Sequence, residues 1–264
     1  MKNNVKIFYN NNDKSINTFN EVKDKLIKNG FNIVENDYNI AIAIGGDGSF
    51  LRMVKETNFK SDVLYLGINT GTLGFAQEIH VNELDELIEN LKTGNYKVNE
   101  FGVQETNLYS NNENSKFYSL NDIVIRDMDL NTLKLDIFID DALLEHFAGD
   151  GILVSTSFGS TAYNLSFGGS IIYNTFHALE LTPVAPLNNK TYRTLTNSLV
   201  LPQNKNIEIV PVSNKNLIVT VDGEYKYYEN FYKIDTILSD KTIMCYQNID
   251  YNFVKKVNDK FLSN

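Results

Sequence analysis

Ile40-Ala41-Ile42-Ala43-Ile44-Gly45-Gly46-Asp47-Gly48-Ser49 joins an unbroken apolar run to a glycine-rich turn that carries a single carboxylate. Five consecutive apolar residues are the mark of a strand buried on both faces, as in a parallel sheet. The run ends directly in glycines, and a helix is predicted from about Phe50 to Lys55. A strand end leading into a helix is where open α/β sheets bind ligands, because free helix N–H groups favour anions. Glycines there let the backbone approach phosphate oxygens closely, since no Cβ intervenes. A pure phosphate cradle does not need Asp47. A carboxylate beside phosphates is costly unless it accepts a proton from a substrate hydroxyl or holds a divalent cation, so it points to phosphoryl transfer. The competing reading is a glycine-rich turn with an Asp helix cap.

Outward from this run, Val5 to Phe8 reads as a strand. Ile16, Phe19, Val22, Leu26 and Ile27 recur at helical spacing until Gly30, and Phe31 to Val34 is a second strand. Val63 to Ile68 feeds the loop Asn69 to Gly74, then an amphipathic helix carries Val81, Leu84, Leu87, Ile88 and Leu91 on one face. This alternation predicts a parallel α/β layer up to about residue 100. Beyond it the rhythm changes to short alternating runs such as Leu133, Leu135, Ile137 and Ile139, so residues 101–246 read as a larger, β-rich domain. The Asn-rich patch from Ser110 to Ser115 reads as a hairpin tip, and Phe253, Val254, Val257 and Phe261 as a closing helix.

Composition narrows the classes. The chain has 264 residues and a formal net charge of −9, which opposes non-specific attraction to nucleic acid or anionic membranes. No stretch approaches the ~20 apolar residues of a membrane span, and the expected address is the cytoplasm. The lone Cys245, in the apolar run from Ile243 to Tyr246, excludes an intramolecular disulfide and reads as buried filler. His80, His146 and His177 make no metal-ligand spacing, and no side-chain pattern marks a metal site. Neither a Walker A pattern nor the protein-kinase H-R-D set occurs.

Gly45-Gly46-Asp47-Gly48-Ser49 resembles the G-G-D-G-T/S motif shared by NAD kinases, diacylglycerol and sphingosine lipid kinases, and relatives of phosphofructokinase. The stretch from Gly149-Asp150-Gly151 through Ser155-Thr156 to Gly159-Ser160-Thr161-Ala162-Tyr163-Asn164-Leu165-Ser166 chooses among them, because it resembles the NAD kinase signature. Gly67-Ile68-Asn69 with Gly71 to Phe75, Leu120-Asn121-Asp122, Gly168-Gly169, Leu181 to Pro186 and Val221-Asp222-Gly223 add matches in the family's order.

The resemblance implies a Rossmann-like N-terminal domain, the β-rich domain as the NAD-binding one, and NAD and phosphate sites meeting at a cleft. The last helix, about 247–264, is implied to return to the N-terminal domain. It implies phosphoryl transfer from ATP or polyphosphate, with Mg²⁺ or another divalent cation, to the adenosine-ribose 2′-hydroxyl of NAD. Asp47 would orient and deprotonate that hydroxyl. Gly45, Gly46, Gly48 and Ser49 would hold the donor phosphates with Arg52 as a candidate partner, Asp47 and Gly48 also touching NAD. Asn121 and Asp122 would grip the adenosine portion, and Asp150 would meet the nicotinamide end. Thr161, Ala162, Tyr163, Asn164 and Ser166 would line the dinucleotide pocket, with Ala185 as another wall. A homo-oligomer, often a tetramer, is implied too. The alternatives are a lipid kinase sharing the glycine motif and a silent NAD sensor.

Three departures stand out. Asp122 replaces the family's usual glutamate, Ser157-Phe158 replaces a proline-bearing turn, and Ala148 stands where some relatives carry arginine.

Overall fold

The computed structural model describes residues 3–71, 74–77, 79–212 and 215–263. Thr72 and Leu73, part of the loop after Asn69, lie outside them. Contacts divide the chain into Met1–Glu100 with Thr242–Asn264, and Phe101–Lys241.

The first unit runs β1 (Asn4–Tyr9), α1 (Asp13–Lys28), β2 (Asn32–Ile33), β3 (Ile40–Gly45), α2 (Asp47–Glu56), β4 (Leu64–Asn69), β5 (Ile79–His80) and α3 (Leu84–Thr93). Strands β2, β1, β3 and β4 lie side by side and pair in parallel. Every residue of β3 and β4 is buried, as continuous apolar runs covered on both faces require. α1 is capped by Asn12, whose side chain accepts from the Ser15 N–H at 2.9 Å, and turns Val22 and Leu26 inward. α2 starts at Asp47, earlier than Phe50, because Gly46 serves as its N-cap and the glycine motif itself supplies the first turn.

The second unit ends at Lys241, before residue 246. The apolar run that follows enters the first unit's sheet instead, where Met244 and Cys245 pair in parallel with Leu64 and Tyr65. Cys245 is buried there. The closing helix Phe253–Phe261 lays Phe261 against Phe75 at 5.4 Å between ring centroids, and Lys256 donates to the Phe75 and Gln77 carbonyls at 2.8 and 3.2 Å.

From β6 (Lys97–Ser110) onward the chain continues with β7 (Asn114–Ser119), β8 (Asp122–Asp127), β9 (Leu133–Ile139), β10 (Ala142–Gly149) and β11 (Gly151–Thr156). Then come α4 (Tyr163–Ser166), β12 (Ala178–Val184), β13 (Leu199–Pro202), β14 (Ile207–Pro211), β15 (Leu217–Val221), β16 (Glu224–Tyr228) and β17 (Phe231–Gln247). One antiparallel sheet of the second unit has the order β13-β12-β11-β8-β15-β16. In the other, β10, β9, β14 and β17 follow one another antiparallel. Alternate residues of the two sheets form one core, Ile123, Ile125 and Ile152 from one packing with Leu135, Ile137 and Ile209 from the other. The period-two pattern of Leu133 to Ile139 is what a strand with one buried face requires.

Candidate active site

In the first unit the chemistry gathers around Asp47. Gly45 closes β3 and is buried, whereas Gly46 and Gly48 are exposed at the start of α2, where the first N–H groups of a helix have no intrahelical acceptor. Asp47 sits in that first turn, where the helix dipole favours a negative charge. Its carboxylate accepts the backbone N–H groups of Phe75 and Ala76, each at 3.0 Å, so one segment holds both of its oxygens. Gly74 makes this possible: a Cβ there would meet the Asp47 carboxylate at 2.0–2.4 Å. The buried Ser49 accepts at its Oγ from the Asn10 side chain at 3.0 Å, which ties the loop to the end of β1. Arg52 spends its guanidinium on the Tyr9 carbonyl at 3.1 Å, with Glu56 at 3.5 Å.

In the second unit the adenosine-side candidates sit at the start of β8. Asn121 is half-buried and Asp122 buried. The Asn121 carbonyl accepts from the Thr156 N–H at 2.9 Å and the Ser155 hydroxyl at 3.2 Å. Gly159 lets the chain pass over this point, since a Cβ there would lie 2.1 Å from the Asn121 oxygen. Burial first, and then the nearby Asp222 charge, push the Asp122 carboxyl up from 3.8 to about 7. The shorter carboxylate therefore sits where its neutral form persists to about pH 7.

The signature after β11 forms a short 3₁₀ turn, Gly159–Thr161, followed by α4. Thr161 and Ala162 are half-buried, and Ser166 is exposed. Tyr163 is 44% exposed, yet its position is fixed: Arg126 donates to its hydroxyl at 3.0 Å, and Phe167 meets its ring edge-on at 4.7 Å. An aromatic face is thus presented to solvent on a fastened side chain. Asn164 points the other way. It is fully buried, donating to Glu180 at 2.7 Å and accepting from the Thr182 hydroxyl at 2.6 Å, so its side chain anchors α4.

Asp150 is exposed in the tight turn from β10 to β11, and its N–H donates to the Val184 carbonyl at 2.9 Å. That bond brings it beside Ala185, which follows β12 with a left-handed φ of 45°. These two candidates therefore share one end of the β11–β12 pair.

The Ser157-Phe158 departure is absorbed by packing, because Phe158 meets Phe101 edge-on at 4.8 Å and Ser157 is buried. Sequence reasoning missed Gly74, the Phe75 and Ala76 amides and Glu180, and gave Asp222 no task. The Asp222-Gly223 dipeptide, a strong hairpin-turn signal, was the available clue to the last.

Among the described residues, no three His, Cys, Asp or Glu side chains gather as a metal cage. That excludes a protein-only cage among these residues, whereas Mg²⁺ is usually held by one or two carboxylates together with substrate phosphates. Among the described residues no helix is long and apolar enough to cross a membrane.

Comparison with known proteins bears on both units. A family model described as the ATP-NAD kinase N-terminal domain matches residues 2–96, and one described as the ATP-NAD kinase C-terminal domain matches residues 120–243. The NAD kinase of Finegoldia magna is 41% identical over 98% of this chain and 97% of its own length. NAD kinase 2 of Halalkalibacterium halodurans is 33% identical over 99% of both. Among solved structures, yeast NADH kinase complexed with NADH superposes with a TM-score of 0.84 at 23% identity, covering 99% of this chain and 88% of that one. An NAD kinase from Archaeoglobus fulgidus in complex with ATP gives 0.78 at 20% identity, covering 97% and 98%. At these identities the two structures speak for the fold.

Proposed function

The chain belongs to the NAD kinase family, and we propose that it transfers the γ-phosphoryl group of ATP to the adenosine-ribose 2′-hydroxyl of NAD, giving NADP and ADP. The observation that carries the mechanism is the Asp47 carboxylate, held by two backbone N–H groups beside the exposed glycines of a helix start.

A carboxylate has about four lone-pair directions, so accepting two amides leaves capacity for the acceptor hydroxyl. In the proposed step the 2′-oxygen attacks the γ-phosphorus as its proton passes to Asp47. The new O–P bond forms while the bond to the β-phosphate oxygen breaks, and ADP leaves with that electron pair. A carboxylate is a weak base near neutrality, so most of its effect is orientation of the hydroxyl. The N–H groups at Gly46 and Gly48 are proposed to receive donor phosphate oxygens. A divalent cation is proposed to arrive with the nucleotide and to neutralise its phosphate charge.

Asn121 and Asp122 are the proposed adenosine contacts, Tyr163 with Thr161, Ala162 and Ser166 the dinucleotide wall, and Asp150 with Ala185 the nicotinamide end. For Asn164 the proposed contribution is through the wall it anchors. A cytoplasmic homo-oligomer remains part of the proposal.

The test is to incubate the purified protein with NAD, ATP and Mg²⁺ and to read product with an NADP-specific dehydrogenase. NADP formation supports the proposal. A folded protein that binds NAD and yields no NADP with ATP sinks ATP as the donor.

A further inference from the structure

Asp222 lies outside the proposed substrate contacts, yet its surroundings are specific. It is the first residue of a two-residue turn joining β15 to β16, where Val221 pairs with Glu224. Asp222 and Gly223 have φ of 47° and 86°, both left-handed, as a type I′ turn requires. The turn is docked on the start of β8. Its carboxylate accepts the backbone N–H groups of Leu120 at 2.8 Å, Asn121 at 2.7 Å and Asp122 at 3.2 Å, and its own N–H donates to the Asp122 carbonyl at 3.0 Å. From the other side the Leu120 carbonyl accepts the Thr156 hydroxyl, and the Asn121 carbonyl accepts from Ser155 and Thr156. The chain segment bearing two proposed adenosine contacts is thus gripped on its N–H side by one carboxylate and on its C=O side by β11.

We propose that Asp222 is a positioning residue for the dinucleotide site, setting the Asn121-Asp122 segment in its binding geometry from a hairpin turn remote in sequence. The inference rests on the assignment of Asn121 and Asp122 to NAD. Charge-assisted bonds from a carboxylate to amides are stronger than neutral ones, and three on one group fix a short segment more firmly than a water-filled turn would. Asparagine in its place offers one acceptor oxygen and turns an NH₂ group towards amides that also donate, so at least one of the three bonds must be lost.

The same carboxylate faces Asp122 and helps to hold its acid form. Of the elements against Asp122, β11 places the neutral Ser155 opposite it, and the β15–β16 turn brings Asp222, with exposed Glu224 following in the chain. Removing the Asp222 charge therefore moves the Asp122 titration to lower pH.

The experiment compares the parent with Asp222→Asn and Asp222→Glu. NAD and ATP affinities are measured by calorimetry across pH 5.5–8.5 (a range chosen to span about pH 7), and NADP formation is followed separately. Amide hydrogen exchange at residues 120–122 of the parent is also recorded. The expected result is slow exchange at these amides, and an NAD affinity weaker by about tenfold or more in Asp222→Asn. ATP affinity stays within about twofold, and the pH midpoint of NAD binding moves down in Asp222→Asn but not in Asp222→Glu. A merely structural role would weaken both ligands together and leave the midpoint in place. Parent-like NAD affinity and pH midpoint in Asp222→Asn, or fast exchange at residues 120–122 in the parent, overturns the inference. If Asp222→Asn does not fold, Asp222→Glu decides it, because displacing the carboxylate by a methylene must still weaken NAD selectively. A parent that binds NAD but makes no NADP sinks the kinase reading alone, and the affinities still judge Asp222.

Discussion

Replacing Gly74 with alanine should damage catalysis as well as stability, and the reason is a distance. The added Cβ would sit 2.0 Å from Asp47 Oδ1, 2.3 Å from Cγ and 2.4 Å from Oδ2. Ordinary contact begins at about 3.5 Å, so the carboxylate must retreat by roughly 1 Å or more. Because the obstructing group is a side-chain end, the retreat is sterically easy, but it stretches both bonds from Phe75 and Ala76. The stability loss is about 2–4 kcal/mol if both charge-assisted bonds go. A misplacement of about 1 Å in a group that orients the nucleophile costs on the order of 10²-fold in rate. The assay is kcat for NADP formation at saturating NAD and ATP, with a thermal melt as the folding control. A folded Gly74→Ala enzyme with kcat within about threefold of the parent, a barrier change of less than about 1 kcal/mol, would refute the idea that the 74–76 segment sets the Asp47 carboxylate.

Two further perturbations probe the second unit. Asn164→Ala removes the amide that joins Glu180 to Thr182, leaving a fully buried carboxyl with fewer partners. A loss of about 3 kcal/mol is expected, lowering Tm by roughly 6–12 °C, and an unchanged melt would contradict the anchoring role. Asp122→Asn acts through pH. The folded-state value of Asp122, about 7, lies above its ordinary 3.8, so the folded protein holds this proton more tightly. This group's contribution to stability therefore falls as pH rises from about 4 to about 7, and the variant should be the more stable protein above that window, by up to about 4 kcal/mol. Denaturant titrations at pH 5 and pH 8 (on either side of about 7) check the sign. A stability difference between variant and parent that does not grow with pH would contradict it.

The parts of the fold carried by local pattern were readable from the chain itself. The buried run from Ile40 to Ile44 and the alternation in Leu133 to Ile139 became strands because each periodicity matches one way of covering a sheet. Segments whose fate depends on a distant partner were not. Residues 242–247 look like one more β-domain strand until β4 is known to lie open to them. The same limit applies to the site. Asp47 was legible as chemistry, yet what holds it lies 28 and 29 residues along the chain, and Asp222 reaches Leu120 across 102 residues. Asn164, inside a signature that resembles a ligand wall, turns inward because the buried Glu180 and Thr182 need its amide, and no spacing rule announces that.

Asp47→Asn tests the role of this carboxylate as the base, because it keeps the side chain's shape and one acceptor oxygen while removing the base. NAD and ATP binding are measured by calorimetry and NADP formation in the coupled assay. Both ligands should still bind within about threefold of the parent while kcat falls by on the order of 10²–10⁴. An Asp47→Asn protein that forms NADP at the parent's rate would contradict that role.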